Sequence, residues 1–295
     1  MKSLLAAALL STALTPEYFR AIDPRNDPGR LAPNPEKNLS VIAQVRTNRL
    51  PEPPWSDRAW DHNRALLNER YTDSSFSRLG TWPERRSYGE TRNTEWILTL
   101  PEPQRARAIA TLSPAEKYDL VMGTLRGGLA DANRDSLDKE MDGRGRFPTW
   151  WGICEGSAAA ALASPEPVRK VDVFSVPYGV NVPFFAPDVK ALVSQLWSSY
   201  NRKLRLPEVG RQCDDVRDSD HCFDVNPGSF HIALHHFLGR RNGHLLLDVD
   251  ATRVVWNHPV HGYNSYYFRY DSNLSEVNRP VPNFRDALEE ISRND

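Results

Sequence analysis

The chain has only three cysteines and three methionines in 295 residues. So few cysteines exclude a disulfide-stapled scaffold. With no second CxxC-like pair beside Cys213 and Cys222, the four donors of a tetrahedral zinc site are not in view either, and no metal is expected. Charge of one sign is equally scarce, because 37 Lys plus Arg offset 38 Asp plus Glu for a net of −1. No net field therefore draws the protein to nucleic acid or to an acidic membrane surface, and a nucleic-acid partner is not expected. Beyond the first residues no apolar run approaches the roughly 20 needed to span a bilayer, so membrane insertion is not expected. Internal repeats are lacking too. What is present is ordinary: 40% hydrophobic residues, enough to build one large core or two small ones.

The opening stretch MKSLLAAALLSTAL combines Lys2 with an apolar run from Leu4 to about Leu14 and small residues near Ala13. That is the layout of a secretory signal peptide over residues 1–14, too short to span a bilayer as a mature helix. The competing reading is a packed N-terminal helix. A signal peptide implies a secreted or periplasmic protein. Residues 15–54 are rich in Pro, Asn and Arg with little periodicity, and read as an irregular lead-in that either wraps the domain or is a pro-segment. The main domain is expected over 55–295, with its core at about 96–270.

In an exported protein Cys213 and Cys222, nine positions apart in RQCDDVRDSDHCFD, are expected to close a polar loop as a disulfide. Cys154 is then left over, which flags either a reactive thiol or an inert buried one.

Local signals place helices first and strands later. In LSPAEKYDLVMG, Ser113 is an N-cap, Pro114 opens the first turn and Glu116 completes a capping box. In DVKALVSQLWSSY, after Pro187 and a capping Asp188, Val189, Leu192, Val193, Leu196, Trp197 and Tyr200 share a helical stripe expected to face a core. Trp55, Trp60, Trp82 and Trp96 are expected to pack helices and loops together. Beyond Cys222, SFHIALHHFLG alternates, LLLDVD and RVVW are β-rich, and Asn242-Gly243 is a hairpin signal. Helices followed by an antiparallel sheet make the expected class α+β.

The chemistry centres on PTWWGICEGSAAAALAS, in which the alanine run after Cys154 predicts a helix with the thiol at its N-terminus. Unpaired backbone N–H groups and the positive end of the helix dipole favour a thiolate there and can hold an oxyanion. A thiolate enzyme also needs a base held by a carboxylate. On a strand over 229–238, His231 and His235 would share a face, opposite Asp248 and Asp250 on the next strand. A strict two-residue Asn-Gly turn pairs His235 with Asp250, whereas a wider loop or bulge pairs His231 with Asp248, and spacing alone leaves both open.

LSPAEKYDLVMG, WWGICEG, PFFAPDVKALVSQLW, DVNPGSFHIAL and VVWNHPVHGY, in this order between about Trp96 and Tyr267, resemble the transglutaminase elicitor family of secreted oomycete and bacterial enzymes. The resemblance implies a core similar to papain-like cysteine proteases, its nucleophile at a helix N-terminus packed on an antiparallel sheet. It also implies a Cys-His-Asp triad of Cys154, His231 and Asp248, and so prefers that pair to His235 with Asp250. The implied reaction is transfer of protein glutamine side chains to lysine or other primary amines. No cofactor is needed for that chemistry, although the resemblance leaves calcium dependence open. Trp150, Trp151 and Trp256 are expected to wall an apolar amine channel, and Glu155 to attract the incoming ammonium. Two departures concern the acceptor side: Glu155 stands where relatives often have histidine, and small residues in GSAAAA replace a following aromatic. A carboxylate beside the thiol also opposes thiolate formation.

Three alternatives accompany this reading. The same triad acting with water would make a protease or deamidase. If SFHIALHHF were helical, His231 and His235 would stack as metal ligands and, with His221, make a zinc hydrolase, although Ile232 stands where the glutamate base of such sites belongs. A non-catalytic module presenting VVWNHPVHGY would not depend on the sulfur of Cys154.

Overall fold

The structure, a computed structural model, describes residues 24–58, 60–204, 207–210, 225–250, 254–270 and 276–281. The signal-peptide reading of residues 1–14, Cys213, Cys222 and His221 all lie outside these residues. The chain divides into two compact units: Pro54–Arg205 with Trp256–His258, and Met1–Pro53 with Leu206–Val255 and Pro259–Asp295. Helices dominate the first half and short antiparallel strands the end, an α+β chain. No helix among the described residues is long and apolar enough to cross a membrane.

The unit that contains Cys154 is organised by the helix Pro114–Met122, which forms as its caps dictate. Glu116 N–H donates to Ser113 Oγ while Glu116 Oε2 accepts from Ser113 N–H, closing the capping box, and Gly123 stops the helix in the left-handed region at φ 77°. Leu120 of this helix joins Ile97, Ile109 and Leu112 in a buried cluster completed by Val180, Val182 and Phe184. These last three come from a hairpin in which Val171–Ser175 pairs antiparallel with Val180–Phe184. A second cluster gathers Trp60, Phe76, Trp82, Leu137, Phe147 and Ile153.

Buried indoles need a partner for their N–H. Trp55 donates to Ser164 O, Trp60 to Asp57 Oδ2 and Trp82 to Asp138 Oδ1. Three of the four expected tryptophans are thus core residues, whereas Trp96 is exposed.

The helix Ala186–Leu204 packs Val189, Leu192, Val193 and Trp197 of the expected apolar stripe on the buried clusters, but its most deeply buried face is a neighbouring one of small and polar residues. Asp188, Ala191, Ser194 and Ser198 are buried, while Leu196 and Tyr200 are exposed. The reason lies in its partner, the helix Cys154–Ala163. A Cβ on Gly156 would overlap Ser194 O and stand 2.7 Å from Ser198 Cβ, so the two backbones approach through small residues alone. Asp188 does cap, from inside the first turn: its Oδ2 accepts the Phe185 N–H at 2.7 Å and pairs with fully buried Lys117 at 2.7 Å.

In the other unit the expected strand over 229–238 is a helix. Pro227–Leu234 is α-helical and His235–Arg240 continues it as a π-helical turn. Asn226 caps it, accepting from Gly228 and Ser229 N–H, with Pro227 in the first turn. Asn242-Gly243 is not a hairpin turn but the stop of this helix: Asn242 is left-handed at φ 48°, and Gly243 N–H donates to Phe237 O. With His231 and His235 on this helix, neither faces Asp248 or Asp250 across a hairpin, and the register question dissolves. Leu245 O instead accepts from Val260 N–H.

The lead-in is built into this unit. Thr47–Arg49 pairs antiparallel with Gly262–Asn264, Leu50 N–H donates to His261 O, and Asn26 supports the start of the His231 helix. Asn26 Oδ1 accepts from Asn226 N–H at 2.6 Å, and its backbone oxygen accepts from Ser229 Oγ.

Candidate active site

Cys154 is the first residue of the ten-residue helix Cys154–Ala163, as the alanine run predicts. It is half-buried and outside any disulfide. Its N-cap, Ile153, brings no oxygen and makes no side-chain cap bond, so the first turn is not closed off by its own cap. Ile153 instead anchors the nucleophile by burying itself in the Trp60–Phe147 cluster. Gly156 sets the helix against the Ala186–Leu204 helix, and Ser198 Oγ on that helix donates to Glu155 Oε1 at 2.6 Å. The carboxylate beside the thiol is thus held by a neighbouring helix.

Trp150 and Trp151 meet edge to face, ring centroids 6.3 Å apart. Trp151 is further fixed by His62, which lies 5.8 Å from its ring and donates its backbone N–H to Trp151 O at 2.9 Å. His62 Nε2 in turn pairs with Glu140 Oε2 at 2.7 Å. The third tryptophan, Trp256, belongs to the same unit. Beside it stands Asn257, whose Nδ2 donates to Cys154 Sγ at 3.8 Å. Sequence reasoning missed His62 and Asn257. Seventy-eight positions separate His62 from Glu140, so no local spacing reveals that pair. Asn257 had one signal, its place inside VVWNHPVHGY.

His231 and Asp248 belong to the other unit, whereas Cys154, Trp150, Trp151, Glu155 and Trp256 share the first. His231 is half-buried on the capped helix, and burial lowers its pKa from the ordinary 6.5, favouring the neutral imidazole that a base must be. One turn on, His235 is 1% exposed, and neither of its ring nitrogens has a hydrogen-bond partner among the described residues. Of the two histidines, His231 is the one that is partly exposed. Asp248 is exposed at the end of its strand and accepts from Asp250 N–H at 3.2 Å. The helix places His231 and His235 at i and i+4, as the zinc alternative required. The third member of that alternative, His221, lies outside the described residues, among which no group of three His, Cys, Asp or Glu side chains is gathered that could hold a metal ion.

A family model described as Transglutaminase elicitor matches residues 130–278. The sequence matches no curated protein. Among solved structures the chain is similar to the crystal structure of the GP42 transglutaminase from Phytophthora sojae, with a TM-score of 0.49 and 20% identity. That likeness covers 84% of this chain and 64% of the other, so this chain spans less than two thirds of its length.

Proposed function

Because the chain belongs to the transglutaminase elicitor family, we propose that it is an exported protein-glutamine acyltransferase with Cys154 as nucleophile, His231 as base and Asp248 as the acid that orients it. One observation carries this reading: the family match spans all three residues, and Cys154 heads a helix whose N-cap residue makes no side-chain cap bond. The short apolar start of the sequence supports export.

Neutral His231 takes the proton of the Cys154 thiol and becomes imidazolium. The thiolate Sγ attacks the carboxamide carbon of a glutamine side chain, and the first-turn N–H groups of the Cys154 helix receive the developing oxyanion. The C–N bond breaks, ammonia leaves with a proton from the His231 imidazolium, and a thioester remains. A lysine amine then attacks the thioester carbon. His231 takes the proton the amine loses, and Sγ leaves as thiolate. The net change is one amide for another, with ammonia released. Substrates are therefore proteins bearing glutamine and lysine. Trp150, Trp151 and Trp256 supply apolar walls that favour amine over water by excluding solvent. Glu155 places a carboxylate next to the nucleophile that suits an incoming ammonium, and its bond from Ser198 restricts where it points.

The test is mass spectrometry of a glutamine-containing protein incubated with the enzyme and a labelled primary amine. Incorporation at glutamine, lost in Cys154→Ala, is expected. Only the mass change of deamidation, even in excess amine, would make the protein a hydrolase. Backbone cleavage without glutamine modification would make it a protease, and incorporation that survives Cys154→Ala would remove the nucleophile assignment.

A further inference from the structure

Asn257 sits where it can act on the sulfur itself. Its carboxamide Nδ2 is 3.8 Å from Cys154 Sγ, inside the range of a hydrogen bond to sulfur, and both residues belong to the same unit. The side chain is half-buried, on the strand Asn257–Pro259. A primary carboxamide offers two N–H donors and no titrating proton, so it donates to a thiolate at any working pH. A thiolate is much the better acceptor of the two sulfur states, and bonds to charged acceptors are about twice as strong as neutral ones. A donor fixed at this distance therefore favours ionisation of the sulfur. It adds to the helix N-terminus a side-chain contribution that Glu155, a carboxylate on the following residue, opposes.

We propose that Asn257 is a catalytic residue: its carboxamide donates to Cys154 Sγ and holds the sulfur in the thiolate form from which acyl transfer starts. This rests on Cys154 being the nucleophile, but its test needs no acyl substrate. In alkylation by iodoacetamide the thiolate forms an S–C bond to the methylene carbon and iodide leaves with the C–I electron pair. The rate thus follows the thiolate fraction.

The experiment measures alkylation at Cys154, mapped by peptide mass spectrometry, from pH 5 to 10 in the full-length protein, Asn257→Ala and Asn257→Asp. Asn257→Ala is expected to react about tenfold more slowly near neutral pH, as the loss of a charge-assisted hydrogen bond implies, and to reach the wild-type rate at the alkaline end. Asn257→Asp keeps the size and shape but replaces the donor with a carboxylate, so its profile should move further to the alkaline side. Circular dichroism checks that each variant is folded, and the near-isosteric aspartate carries the test if the alanine variant is not. Profiles that superimpose on wild type would overturn the proposal. So would a uniform fall at every pH, which would mean that Asn257 shapes access rather than ionisation. An unshifted profile with intact amine incorporation sinks the Asn257 role and spares acyl transfer, while a shifted profile without incorporation does the reverse.

Discussion

His231 and His235 stand one helical turn apart, and access separates them. His231 is half-buried and burial lowers its pKa, whereas His235 is 1% exposed. His231→Ala should lose nearly all amine incorporation, while His235→Ala, once shown by circular dichroism to be folded, should keep most of it. The reverse ranking in a steady-state assay would reassign the base. Because the His231 pKa lies below 6.5, the acid limb of kcat/KM should fall below that value. The stability of the fold responds to the same pH range through other side chains. His235 and His236 have pKa values lowered chiefly by burial, so the unfolded chain takes up protons near pH 6.5 that the folded chain refuses. Stability should therefore drop as pH falls from 7 to 5. His235→Leu, which has nothing to protonate, should flatten that part of a Tm-against-pH curve, and an unchanged slope would exclude His235 as its source.

Among the elements, the two helices around the nucleophile meet through atoms too close for any side chain at 156. Gly156→Ala must push the Cys154 helix off Ser194 and Ser198. Overpacking of that kind costs roughly 1–3 kcal/mol, and amine incorporation should fall with it because the displaced element carries Cys154. A wild-type Tm in Gly156→Ala would mean the contact is looser than described. At the Pro114 helix, Ser113→Ala should cost about 1 kcal/mol in denaturant unfolding. Burial alone would raise the Glu116 pKa, but the Arg70 fork at 2.6 and 2.8 Å and the Ser113 bonds hold it below the usual carboxylate range. Its contribution is present above the unfolded value near 4.5 and lost as pH falls through the lower folded one. Ser113→Ala should therefore unfold at higher pH in acid titration.

These elements also mark what could be read from sequence. The Ser113-Pro114…Glu116 start and the thiol at the head of an alanine run were legible, because caps and propensity act within a few residues. The His231 helix carried an equally local start, Asn226-Pro227, but alternation of Phe230, Ile232 and Leu234 outvoted it. Of its buried positions, Ser229, Ala233 and His236 recur at i, i+4 and i+7, yet these three are small or polar and so invisible to an apolar pattern. Asp188, Ala191, Ser194 and Ser198 were hidden for the same reason. The His62–Trp151 and Asn257–Cys154 contacts depend on tertiary packing alone.

At the scale of the molecule, neither unit is one continuous stretch of chain. The unit bearing His231 and Asp248 draws on three separate stretches, and residues 24–53 enter it as a paired strand and as the Asn26 support under the His231 helix. The lead-in is therefore held by its hydrogen bonds as well as by its covalent connection to Trp55. Severing that connection at the exposed Glu52, by an engineered protease site, should leave the two pieces associated. They are expected to co-elute in size-exclusion chromatography and to retain amine incorporation. After separation in denaturant the larger fragment alone should be inactive, and adding the smaller one back should restore it. A small fragment that drifts away with activity intact would refute this. If the pieces do complement one another, maturation by trimming here would not release a masked enzyme, and the short peptide would behave as a dissociable subunit whose concentration sets the amount of active protein.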